Sequence, residues 1–223
     1  MKTNSKHLGL VTKKFNEFFF VDLKNKENFG NSERFLCKVR KSINFKDQFI
    51  YVGDEVEIDN IDLTSKRAVI ISLKKRQNLL NRPSVANISN IYIIFSVEEP
   101  KLNLSQVNRF LISAESMGVE VSLVLTKCDL ILDKKKIFLL DKFKKWGYQA
   151  IILNLYKSDQ FEDLLAQLKK KKCSIFMGPS GVGKTTLLNK IIPGLQNSTA
   201  PVSNKIKRGK NTTRNVELFS ISN

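Results

Sequence analysis

No stretch of the 223-residue chain approaches the ~20 consecutive apolar residues that a membrane-spanning helix needs. A helical integral membrane protein is therefore excluded. Nor does the start of the chain read as a secretory signal, because Met1 to Lys6 leads into polar sequence with no apolar core or cleavage site. Cysteine is scarce. Cys37, Cys128 and Cys173 are far apart, fit no zinc-ligand spacing, and are odd in number for a disulfide framework. Three reduced side chains in a cytoplasmic protein are expected. Internal repeats and low-complexity linkers are absent as well. Acidic residues are few beside the basic ones, 21 against 38, which leaves a formal net charge of +17. A soluble chain this basic projects a field that attracts polyanions, so nucleic acid is the expected partner. An anionic membrane is less favoured, because no basic amphipathic helix with an aromatic face stands out.

Hydrophobic rhythm divides the chain in two. Residues 1–80 contain five short, largely alternating runs, Gly9–Thr12, Glu17–Leu23, Phe35–Arg40, Asp54–Ile58 and Arg67–Leu73, as half-buried strands do. Five such strands predict a small β-barrel, an OB-fold, a type that often binds single-stranded nucleic acid through a positive, aromatic-bearing groove. Phe15, Phe18, Phe19 and Phe20 among Lys13, Lys14 and Lys24 could form that surface. Phe18 and Phe20 are assigned instead to the barrel core, as alternate residues of one strand. Lys74–Pro83 reads as an exposed connector. From residue 81 to 223 the pattern becomes α/β. The nearly unbroken apolar run Asn90–Val97 predicts a strand covered on both faces. A helical pattern through Leu104, Val107, Phe110, Leu111 and Ala114 follows, then runs at Val121–Thr126, Gln149–Leu153 and Ser174–Met177 with helices between them. Alternating strands and helices imply a parallel sheet.

Two motifs carry chemistry. Gly178, Pro179, Ser180, Gly181, Val182, Gly183, Lys184 and Thr185 match G-x-x-x-x-G-K-[ST] at every fixed position, between an apolar strand and a helix. Glycines let backbone N–H groups approach phosphates at a helix N-terminus, whose dipole favours anions. Lys184, the candidate catalytic residue, would neutralise charge developing on the β- and γ-phosphates, and Thr185 would be a Mg²⁺ ligand. The motif does not choose between ATP and GTP. Thr126, Lys127 and Asp129 form the second motif, [NT]-K-x-D at a strand end. An aspartate accepts hydrogen bonds only, and guanine's edge presents a ring N–H beside an amino group. Adenine lacks that donor pair, so the two motifs together point to guanine. A capping turn after a strand is the competing reading of the tetrapeptide alone. The base-reading element here precedes the phosphate loop by about fifty residues, the reverse of the usual order. Both lie at carboxyl ends of strands, where α/β sheets bind ligands, so a circularly permuted G domain is inferred.

The sequence resembles the small ribosomal subunit biogenesis GTPase RsgA family. The resemblance rests on an OB-type N-terminal region ending at Val52–Val56, the link Asn81–Asn87, T-K-x-D ahead of G-P-S-G-V-G-K-T-T-L-L-N, and Lys207–Leu218 in place of the family's R-G-K-H-T-T-R-H-V-E-L. It implies a cytoplasmic, monomeric GTPase that binds GTP or GDP with Mg²⁺ and acts on the small ribosomal subunit through its rRNA. It also implies that Thr126, Lys127 and Asp129 read guanine and that Gly178 to Thr186 hold phosphates and Mg²⁺. Thr213 would be the switch threonine that closes on Mg²⁺, while Lys207, Arg208, Lys210, Asn211, Thr212 and Arg214 would form a switch and RNA-contacting segment. Three departures stand out. Asn211 and Asn215 replace the family's histidines, removing any titrating group there. Asn154–Gln160 scarcely matches the family's S-A-x-T-G-x-G. The D-x-P-G segment and the zinc-binding domain expected next are not among the 223 residues, so zinc is not expected here and the chain is expected to be incomplete at its C-terminus. A non-hydrolysing rRNA-binding factor that uses guanine nucleotide as a conformational ligand is the alternative.

Overall fold

The computed structural model describes residues 2–3, 6–23, 33–40, 49–155, 158–193, 195 and 216–221. Two compact units divide the chain, Met1–Ile88 with Lys205–Asn223, and Ser89–Asn204.

The first unit is a closed β-barrel. β1 (Lys2–Thr3), β2 (His7–Phe15), β3 (Phe18–Leu23), β4 (Arg34–Val39), β5 (Glu55–Asp62) and β6 (Arg67–Leu73) lie in the order β1-β5-β2-β3-β4-β6. A further pairing of β5 with β6 closes the ring. All pairs are antiparallel except β4 with β6, and the five main strands match the predicted OB-fold. Inside lie Val11, Phe19, Val21, Phe35, Cys37, Val56, Ile58 and Ile70, every one at most 6% exposed. Phe19 is thus the core phenylalanine, whereas Phe18 and Phe20 are only half-buried. The expectation for those two residues is corrected by one position. The inward series of this strand runs Phe19, Val21, Leu23, and side chains two apart share a face. The polar Asp22 is tolerated at 8% exposure because Arg34 grips it with two N–H groups, at 2.7 and 3.2 Å.

The stretch read as an exposed connector is held to this unit. β7 (Leu79–Asn81) pairs with β8 (Ser84–Ala86). The Asn78 side chain donates to the Ile88 carbonyl and accepts its N–H, both at 2.9 Å. Arg76 donates to both carboxylate oxygens of the fully buried Asp54. Gly53, at φ +90°, abuts Ala86 so closely that a Cβ would lie 2.2 Å from its carbonyl oxygen. The boundary therefore falls after Ile88, eight residues later than the expected division at 80/81. Residues 216–221, assigned from sequence to the second domain, also belong to the first unit. Leu218 N–H bonds the Thr12 carbonyl, and Glu217 pairs with Lys13 at 2.7 Å.

The second unit is a four-stranded parallel sheet with helices. β9 (Asn90–Ser96), β10 (Glu120–Thr126), β11 (Ala150–Leu153) and β12 (Ser174–Met177) are ordered β11-β10-β9-β12. Every residue of β9 is buried, as its unbroken apolar run requires of a central strand. α1 (Leu104–Glu115) follows β9, and the side chain of Asn103 caps it by accepting the Gln106 N–H. α2 (Asp133–Lys145), α3 (Ser158–Lys169) and α4 (Lys184–Ile191) follow the other three strands. All three cysteines are free. Among the described residues no helix is long and apolar enough to cross a membrane.

Candidate functional site

Parallel strands place their carboxyl ends on one edge of the sheet, and two of those ends, of β10 and β12, carry the motifs read from sequence. The loop Gly178–Gly183 joins β12 to α4. Its first glycine packs against the neighbouring strand, where a Cβ would stand 2.1 Å from the Ile94 carbonyl oxygen. Its backbone also has φ +148°, so only glycine fits there. Gly183, at φ +95°, is the residue preceding α4 and turns the chain into the helix. Pro179 is half-buried, Ser180 and Gly181 are exposed, and Val182 is 1% exposed.

Lys184 opens α4 and folds back over the loop. Its ammonium donates to the Gly178 carbonyl at 2.8 Å and to that of Pro179. Burial lowers its pKa below the ordinary lysine value. A cation held over a ring of backbone groups, with its charged form penalised by desolvation, is suited to an incoming anion. Thr185 and Thr186 follow with exposed side chains. Among the described residues no cluster of three His, Cys, Asp or Glu residues could hold a metal. Mg²⁺ at nucleotide sites takes one or two protein oxygens plus phosphate oxygens and waters, so the Thr185 hydroxyl fits the part expected of it.

The second motif ends β10. Thr126 is 1% exposed, and its hydroxyl donates to the Val182 carbonyl of the phosphate loop at 2.7 Å. The same oxygen lies 3.3 Å from the Phe95 carbonyl of β9. The two motifs, 56 residues apart in sequence at this bond, are thereby joined. Thr126, assigned from sequence to reading guanine, places its hydroxyl on the phosphate loop and so joins that loop to β10. Lys127 adopts a left-handed backbone at φ +55°, and its ammonium donates to the Glu99 carbonyl. Cys128 is buried, which pushes its thiol up to about 11. Asp129 is exposed and makes no hydrogen bond or ion pair among the described residues, leaving its carboxylate open to a ligand.

Sequence reasoning missed one neighbour of this edge. The loop after β9 fills the space between the motifs: Ser96 donates to the Pro100 carbonyl at 2.8 Å, and Pro100 packs beside Gly181. Its only sequence signal is a Glu-Pro pair at a strand end. The loop after β11, where the Asn154–Gln160 stretch that scarcely matches the family pattern begins, is another neighbour. Its Asn154 N–H is taken by the Gln160 side chain at 2.8 Å, Leu155 packs by Gly183, and the Leu155 carbonyl accepts from Lys190. Departing from the family pattern has not moved this segment away from the phosphate loop. Lys207, Arg208, Lys210, Asn211, Thr212, Thr213 and Arg214 lie outside the described residues.

Comparisons with known proteins give the family. The family model described as RsgA GTPase matches residues 73–223. The chain belongs to the RsgA GTPase family. A protein named small ribosomal subunit biogenesis GTPase RsgA, from Prochlorococcus marinus strain NATL1A, is 40% identical over 99% of this chain and 73% of its own length. A protein of the same name from Prochlorococcus marinus strain SARG is 42% identical over 84% of this chain and 61% of its own. Among solved structures, YjeQ from Thermotoga maritima superposes with a TM-score of 0.75 at 32% identity, covering 86% of this chain and 66% of that one. YloQ, described as a circularly permuted GTPase, gives 0.70 at 26% identity with the same coverages. The chain thus spans between 61% and 73% of the length of these relatives. Its architecture is theirs, an OB-fold barrel and a circularly permuted P-loop GTPase domain.

Proposed function

We propose that the chain is a GTPase that hydrolyses GTP to GDP and phosphate in the maturation of the small ribosomal subunit, gripping rRNA as it does so. One observation carries the nucleotide part: the Thr126 hydroxyl bonded to the Val182 carbonyl, which sets a base-reading aspartate and a phosphate loop on one edge of one sheet. Asp129 would accept both donors of the guanine edge, and the stem of Lys127 would lie along the base. The N–H groups of Gly181 to Thr186 would surround the phosphates at the start of α4, where the helix dipole favours them. Lys184 would exchange its bonds to the Gly178 and Pro179 carbonyls for the β- and γ-phosphate oxygens. There it offsets the charge that builds as water attacks the γ-phosphorus and the bond to the β-phosphate oxygen breaks. Bound Mg²⁺ would supply further neutralisation of those oxygens, with Thr185 as one ligand and Thr213 as the switch ligand.

The ribosomal half of the proposal is supported by family membership, by the names of the relatives and by the net charge of +17. Phosphate release should be measured with and without purified small subunits, beside competition of GDP and ADP for a fluorescent guanine nucleotide. The proposal expects GDP to win and subunits to raise turnover. Equal affinities for GDP and ADP would remove the chain from guanine specificity. Turnover left flat by subunits, with guanine binding intact, would favour an rRNA-binding factor that uses nucleotide only as a conformational ligand.

A further inference from the structure

One side of α2 carries a surface that the nucleotide site does not use, and that the charge pattern of the sequence did not bring out. Lys134, Phe138, Lys142 and Trp146 succeed one another at four-residue intervals, so they form a row along one flank of the helix and its C-cap. Both rings are open to solvent, Phe138 at 61% and Trp146 at 36%. The Lys142 ammonium stands between them, 5.9 Å from each ring centroid. The helix meets the core through other residues, Leu139 and Phe143, and the edge of Trp146 rests on Phe143. Trp146 is thereby seated on the core, and neither ring is covered.

Charge defines what fits. α2 holds six lysines and two aspartates. Asp133 is paired with Lys136, Asp141 with Lys145, and Lys135 with Glu98. Lys134, Lys142 and Lys144 have no carboxylate partner among the described residues. Unpaired cations alternating with exposed rings make up the chemistry of single-stranded nucleic-acid binding, in which bases stack on the rings and the cations follow the phosphates. A membrane surface fits less well. The exposed Ile137 is separated from Phe138 around the helix by Lys134, Asp141 and Lys145, so no continuous apolar face exists to enter lipid.

We propose that the Lys134–Phe138–Lys142–Trp146 row of α2 is a binding surface for unpaired RNA bases. The proposal rests on the rRNA-binding reading above and gives it an address in the GTPase domain, next to the base-reading element, since α2 begins four residues after Asp129.

Trp146 is the only tryptophan in the chain beside four tyrosines, so fluorescence excited selectively in tryptophan reports on this surface. The full chain should be titrated with a short single-stranded RNA of mixed sequence, with the same RNA annealed to its complement, and with anionic phosphatidylglycerol vesicles. Anisotropy of labelled RNA follows binding anywhere on the molecule. Single strands are expected to quench Trp146 saturably and more strongly than the duplex. Phe138→Ala should weaken that binding by about 5- to 150-fold, the measured range for losing one stacking ring. Lys142→Gln should lower the salt slope of binding by about 0.7. Both variants should keep their GDP affinity. Anisotropy that rises while Trp146 emission stays constant would overturn this surface and leave the ribosomal reading standing. Phe138→Ala binding RNA as well as the parent chain would do the same, whereas no RNA binding at all would end this proposal together with the rRNA-binding reading it rests on. A blue shift produced by vesicles but not by RNA would make the row a lipid contact and equally end the proposal.

Discussion

Replacing Thr126 with valine removes one hydroxyl and little else, because the two side chains have nearly the same shape. The threonine is 1% exposed, and the Val182 residue that accepts its hydrogen bond is equally buried. Losing the donor leaves a buried carbonyl unsatisfied, at a cost of about 1–3 kcal/mol. The loop can recover part of that by shifting until water reaches the carbonyl, but a shift carries the phosphate cradle away from Asp129. A nucleotide held at both ends would then lose about 1.4 kcal/mol, or tenfold in Kd. Thr126→Ser keeps the hydroxyl and should bind like the parent chain. The assay is displacement of a fluorescent GDP by GDP and by IDP, which lacks the exocyclic amino group. Thr126→Val should weaken both ligands by the same factor, because the threonine positions the loop and does not touch the base. An unchanged Kd would refute the joint between the motifs. A selective loss of GDP over IDP would show instead that Thr126 reads guanine directly.

Asp129→Asn exchanges an acceptor for a donor at the exposed carboxylate; GDP affinity should fall about 10- to 100-fold, from the loss of charged hydrogen bonds, and XDP should become the tighter ligand in the same displacement assay. Gly178→Ala places a methyl 2.1 Å from the Ile94 carbonyl oxygen at φ +148°. Strain of about 1–3 kcal/mol should appear as a lower melting temperature together with lost nucleotide binding, and normal binding would mean the loop is free to move. For Lys184, burial lowers the pKa of the free site from the ordinary 10.5, whereas bound phosphate favours the charged form. GDP affinity should therefore hold at neutral pH and decline as pH rises through that lowered value, short of 10.5. In Lys184→Ala, affinity for GTP should be weaker throughout, the fold intact by circular dichroism, and the alkaline decline gone.

The elements that set the site were legible because their constraints are local. A central strand buried on both faces has to be continuously apolar, and Asn90–Ser96 is. A phosphate loop needs glycines at fixed intervals, and Gly178, Gly181 and Gly183 all have positive φ. Where the deciding interaction came from elsewhere in the chain, the sequence misled or stayed silent. Three phenylalanines in a row cannot show which of them faces the core until Val21 and Leu23 fix the register. Lys74–Pro83 looks like a solvated connector by composition, yet Asp54, over twenty residues back, holds it in place through Arg76. The Asn154–Leu155 segment has no motif, and what places it is β11 ending beside β10. The aromatic row on α2 was hidden by the density of lysines around it, since only the burial of Leu139 and Phe143 shows which flank is left to solvent.

The reversed motif order has a physical explanation in the sheet. β12 follows β11 in the chain but pairs on the far side of β9, so β9 stands between the base-reading strand and the phosphate strand. Two strand spacings come to about 10 Å, which suits a nucleoside laid across the sheet edge from base to phosphates. The link between the ends is made by side chains: Thr126 reaches past the Phe95 carbonyl at the end of β9 to Val182, while Ser96 and Pro100 fill the gap beneath. None of these contacts requires a peptide connection between β12 and the strands it joins. Cutting the chain at one exposed link and closing it at another therefore changes which motif is synthesised first, while the hydrogen bond that holds the two together stays where it is.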